Sequence, residues 1–166
     1  MAIDTLKRMA LFFVFCLVQA LVLNHIHLFG WATPLLYVYF AITFPRNYPR
    51  WAILLWCFVL GLSIDMFSNT PGLACASLTA VGFLQPYLLE PFIPRDAAEN
   101  IETSARALGR GKFTMLSAIL VLLYCLLFFT LEAFTFFNWQ NWLLCIGSST
   151  LITLLLIMTL ESLRRS

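Results

Sequence analysis

The chain has 166 residues, of which 61% are hydrophobic and 11% charged, with a mean hydropathy of +0.89; a soluble domain carries roughly 25% charged residues. Too few polar side chains remain to cover a water-facing surface once a core is built, so lipid must supply much of the solvent. A net charge of +2 excludes a broad basic surface for nucleic acid, and no run of like charges marks a disordered interaction tail.

A bilayer core about 30 Å thick needs about 20 apolar helical residues, and on that ruler the chain divides into six segments. The first covers about 9–23, behind Lys7 and Arg8. Those basic residues and Val18-Gln19-Ala20 look somewhat like a signal peptide with a cleavage site. The apolar run continues through Leu21-Val22-Leu23, so an uncleaved span is expected, with Gln19 an ordinary helix residue. The second segment, about 31–44, is broken off by Pro45 and Pro49. The third covers about 51–66. The fourth covers 71–89, where Pro91 and Pro94 forbid further helix by removing amide donors and clashing with the preceding turn. The fifth and sixth cover about 113–134 and 142–160. The first three are short, and would tilt less, thin the bilayer or lean on Trp31, Trp51 and Trp56.

Positive loops stay in the cytoplasm during insertion. With six crossings, Lys7, Arg8, Arg46, Arg50, Arg95, Arg106, Arg110, Lys112, Arg164 and Arg165 all fall on one side, and the three opposite loops hold no Lys or Arg. The expected fold is therefore an all-α integral membrane protein. It is a single six-helix transmembrane bundle over residues 1–166, with both ends cytoplasmic. Unpaired backbone amides cannot face lipid, and the segments lack the period-2 alternation of barrel strands. In the loop from Pro94 to Gly111, Asp96–Glu99 and Glu102–Leu108 could form a short helix at the membrane surface.

Charged residues inside a span are costly and mark functional candidates. Asp65 ends the third segment, and Gly61, four residues earlier, shares its helix face and lets a neighbouring helix come close. Two roles are open to Asp65. It can accept hydrogen bonds from the following turn or from the free amides of segment four, with Thr70 as N-cap and Pro71 at the first helical position, or it can bind or couple. On the capping role, Asn in its place is expected to leave expression and function near normal. Glu132, near the outer end of segment five, has no Lys or Arg on its own side; it is protonated or reaches water at the interface, among Asn138, Gln140 and Asn141. Glu90, near Arg95, reads as half of an interfacial ion pair.

Segment four spreads Gly72, Ala74, Cys75, Ala76, Ser77, Thr79, Ala80 and Gly82 around most of its surface, which places it at the bundle centre. Pro86 is expected to kink it, while segments one and five face lipid. The five cysteines stand singly as small packing or lipid-facing residues. His25 and His27 lack a third ligand at suitable spacing and read as interfacial polar residues. No Ser-His-Asp set, zinc motif or phosphate-binding glycine loop is present.

Gly61-Leu62-x-x-Asp65 followed by Pro71-Gly72-Leu73, with Phe44–Trp51 and Leu131–Trp139 around them, resembles the MreD family of rod-shape-determining proteins of the bacterial inner membrane. The resemblance covers essentially the whole chain. It implies a non-catalytic component of the cell-elongation machinery, without a cofactor. Such a component associates with the bitopic protein MreC. Through it, the component meets a RodA-type polymerase and a class B penicillin-binding transpeptidase, with MreB filaments on the cytoplasmic side. It also implies a fold like the six-helix substrate-binding subunits of energy-coupling-factor vitamin transporters, with Gly61, Asp65, Pro71 and Gly72 lining or supporting a pocket open to the outer face. An alternative of another class is a solute-binding transporter subunit, whose polar rim would comprise Asp65, Ser68, Asn69, Thr70, Asn138, Gln140 and Asn141. Against it, segment one carries only Ala10 and Ala20 where those subunits have an Ala-x-x-x-Ala contact for their transport module.

Overall fold

A computed structural model describes residues 2–22, 25, 34–96, 101, 103–134 and 138–165. Its helices are α1 (Ala2–Leu21), α2 (Val38–Ile42), α3 (Arg50–Ser68), α4 (Leu73–Leu89), α5 (Ala105–Leu108), α6 (Arg110–Ala133) and α7 (Trp139–Arg165), with a 3₁₀ turn at Glu90–Phe92 after α4. Among the described residues there is no strand. Four helical stretches are long and apolar enough to cross a membrane: α3, α4 with its 3₁₀ turn, α6 and α7. The 20 residues of α1 include Asp4, Lys7 and Arg8 in the first two turns, which leaves only Met9–Leu21 as its apolar part.

Small residues set the tightest packing. A side chain on Gly61 would put its Cβ 2.5 Å from Cys75 Cα, and one on Gly82 would put it 2.7 Å from Cys57 Sγ, so α3 and α4 touch closely at both levels. Helix α4 also packs against α2 and α6, in keeping with its small-residue surface. It continues as a helix through Pro86. Helix α1 turns Leu6, Phe13, Leu17 and Leu21 outward, and α7 does the same with Leu151 and Leu155, a surface suited to lipid. Helix α6 has two faces: Met115, Leu122, Leu126 and Leu131 are exposed, a surface suited to lipid, whereas Phe113, Leu116, Leu120, Val121, Tyr124 and Cys125 are fully buried against the core.

The second segment differs most from the sequence expectation. Its described helix is the five-residue α2, and every residue from Pro34 to Ile42 is buried. Irregular backbone at membrane depth is tolerated only where protein covers it and satisfies its polar groups, and four side chains from other elements do so here. Gln19 Nε2 donates to Pro34 O (3.1 Å), and Leu35 N donates to Thr153 Oγ1 (3.1 Å). At the other end, Gln85 Nε2 (3.2 Å) and Thr103 Oγ1 (2.7 Å) both donate to Phe44 O. Gln19 is thus no ordinary helix residue; it is 1% exposed and closes one end of a buried segment.

Candidate functional site

The third and fourth segments meet in a turn that brings the sequence-predicted residues Gly61, Asp65, Asn69, Pro71 and Gly72 together. Helix α3 ends at Asn69, which adopts a left-handed conformation (φ 56°) and donates its amide to Asp65 O; Asn tolerates that conformation better than most residues. Thr70 N donates to the same carbonyl (3.2 Å). Gly72 has φ 83° and ψ −7°, with nothing near a Cβ built on it. Those angles belong to the third residue of a type II turn with Pro71 before it, so glycine is needed for backbone conformation rather than for space.

This turn moves the start of α4 to Leu73 and corrects the expected cap. Thr70 does not cap the helix; its hydroxyl donates to Asp65 Oδ1 (3.0 Å). The cap is Asp65 itself, with Ala74 N donating to Oδ1 (2.9 Å) and Cys75 N to Oδ2 (2.9 Å). Ala76 N already reaches Gly72 O at 3.0 Å. The first amides of α4 are therefore accounted for, two of them by a carboxylate at the positive end of the helix dipole. Gly61 makes the reach possible, since a Cβ there would also stand 2.9 Å from Ala74 O and from Cys75 N.

Asp65 is 5% exposed and three donors occupy it, so its geometry is that of a clasp between two helices. Glu132 is not part of it. That residue is exposed in the last turn of α6, and Asn138, Gln140 and Asn141 are exposed around the start of α7. Ser68 makes a contact within the protein. His25 is exposed, whereas His27 lies outside the described residues. Among the described residues no three His, Cys, Asp or Glu side chains converge as metal ligands, and the five cysteines are free.

A second polar cluster escaped the sequence reading. Glu161, 5% exposed on α7, accepts from the Tyr39 hydroxyl (2.6 Å) and from Ala105 N (2.8 Å). It thereby ties α2 and the start of α5 to the last helix. Around it, Arg46 N donates to Ile101 O (3.2 Å), and the Arg8 guanidinium lies over Phe44 and Tyr48, 4.5 and 4.6 Å from the ring centres. Arg50 donates to the Tyr87 hydroxyl (2.9 Å). The available signal was Glu161 inside an apolar run, with no cation before Arg164. Glu161→Ala is expected to leave the Ala105 amide and the Tyr39 hydroxyl without their acceptor, costing about 2–4 kcal/mol. Limited trypsin digestion followed by mass spectrometry should then show faster cleavage after Arg106; an unchanged rate would mean that Glu161 does not hold this segment.

Deeper in the bundle, Tyr37 and Tyr124 pair through their hydroxyls, with rings edge to face at 5.6 Å. No protein-family model matches the chain, and neither the curated proteins nor the solved structures hold a significant match.

Proposed function

We propose that the chain is a non-catalytic, multi-pass scaffold of the bacterial inner membrane, of the MreD type. In this reading it serves the rod-elongation machinery by binding MreC, and through MreC it supports peptidoglycan synthesis by a RodA-type polymerase and a class B penicillin-binding transpeptidase beside MreB. The observation that carries the reading is the clasp. Gly61, Asp65, Pro71 and Gly72, the positions on which the resemblance rests, act as one device. Gly61 allows the close approach of the helices, Asp65 caps two amides, Pro71 enters the turn and Gly72 supplies its left-handed residue.

The reading includes six crossings with both ends cytoplasmic. Helix α1 and the buried segment around α2 would join the four long helices as the remaining two passes. Contacts that gather Arg8, Arg46 and Glu161 around residues 101–105 support a common basic end. A solute-binding transporter subunit is less well supported, because Asp65, the charge of its polar rim, is spent on the amides of α4.

The deciding experiment is affinity purification of the tagged protein after mild detergent extraction from cells that express MreC. MreC is expected to co-purify at near-stoichiometric yield. A monodisperse preparation that lacks it would overturn the scaffold reading.

A further inference from the structure

At the basic end of the molecule, α5 and α6 meet in a notch of about 600 Å³ lined by Ala105, Arg106, Gly109 and Arg110. Both arginines are exposed, and among the described residues no acidic side chain lines the notch. Gly109, with φ 88° and ψ 149°, turns the chain sharply between the two helices and sets Arg110 as the first residue of α6. Arg106 also makes a contact within the protein, but a guanidinium carries five N–H donors and can serve more than one partner.

The depth of the notch decides which anion it suits. Helix α6 has 24 residues, so at 1.5 Å per residue it is about 36 Å long, whereas the hydrocarbon core is about 30 Å thick. A helix of that length, centred on a bilayer, extends about 3 Å beyond the hydrocarbon at each end, which sets Arg110, its first residue, in the headgroup layer. Two guanidiniums at that depth meet phosphodiesters, whose oxygens they bind in pairs.

We propose that this notch holds the phosphodiester headgroup of an anionic phospholipid, through Arg106 and Arg110. The proposal rests on the membrane orientation given above, with the basic end at the inner leaflet, and is independent of MreC.

The test uses the full chain in nanodiscs of phosphatidylglycerol and phosphatidylcholine in equal amounts, released into native mass spectrometry. The wild-type protein is expected to retain phosphatidylglycerol in preference to phosphatidylcholine. R106Q/R110Q should lose about 30-fold of that preference, the contribution expected of two surface arginines. R95Q, an exposed cation of the same connection outside the notch, should keep it. Equal retention by wild type and R106Q/R110Q would overturn the proposal, as would an equal loss in R95Q, which signals diffuse attraction only. Displacement of phosphatidylglycerol by excess inorganic phosphate would reassign the notch to a free anion and likewise overturn it. Should the double variant fail to fold, R110Q alone, altering one exposed side chain, carries the same comparison. Since lipid retention is read without MreC, its failure and that of the scaffold reading are separable.

Discussion

Gly61→Leu is expected to abolish accumulation of folded protein. The first atom added at Gly61 already meets Cys75 Cα at 2.5 Å, and the nearest atoms are backbone, which no rotamer change can move aside. Relief requires α3 and α4 to separate, and separation withdraws Asp65 from Ala74 N and Cys75 N. Overpacking alone costs about 1–3 kcal/mol, and each uncapped amide adds about 1–3 kcal/mol, a sum comparable to the stability of many whole domains. Fluorescence-detected size exclusion of a tagged variant measures this directly: the monodisperse peak should disappear. Gly61→Ala should show a smaller loss of the same kind, and a normal peak for Gly61→Leu would mean that the two helices are not in contact there.

The second large effect concerns Asp65. Asp65→Ala removes the acceptor for two helix amides and for the Thr70 hydroxyl, at an expected cost of about 3–5 kcal/mol. Asp65→Asn is more informative. The expectation of near-normal behaviour for Asn presumes that any oxygen at this place suffices, but both carboxylate oxygens accept here, one from Ala74 and the other from Cys75. An amide offers one acceptor and points an NH₂ group at the remaining N–H, so Asn is expected to restore only part of the loss. Thermal denaturation in detergent should rank wild type above Asn and Asn above Ala. Wild-type stability in the Ala variant would show the clasp to be dispensable.

The α3 to α4 hairpin was legible in the sequence because it is local. Gly61 and Asp65 share a face, Pro71-Gly72 is turn chemistry, and acceptance from the free amides of segment four was one of the two roles open to Asp65; only the cap given to Thr70 and the helix start at Pro71 were misplaced. The four long helices were legible for a similar reason, as their apolar runs are long enough to cross a bilayer, although the third looked short because its helix extends past residue 66 to Ser68. The segment around α2 was not. An apolar run reads the same whether lipid or protein surrounds it, and hydropathy cannot tell Val38–Ile42 from the middle of a spanning helix. The distinction lies in Gln19, Gln85, Thr103 and Thr153, isolated polar residues whose partners are distant in sequence. Glu161 was overlooked on the same account. One polar residue in an apolar run marks a partner without revealing which one.

The buried segment also constrains the order in which the molecule can be assembled. Leu35 finds Thr153, and Tyr39 finds Glu161, across 118 and 122 residues of chain. While α6 is being made neither acceptor exists, so Leu35 and Tyr39 gain these partners only with α7, later than Phe44, whose carbonyl meets Gln85 and Thr103. Helix α7 therefore closes over a segment that the chain supplies early, and the polar ties of Leu35 and Tyr39 belong to the late steps of folding.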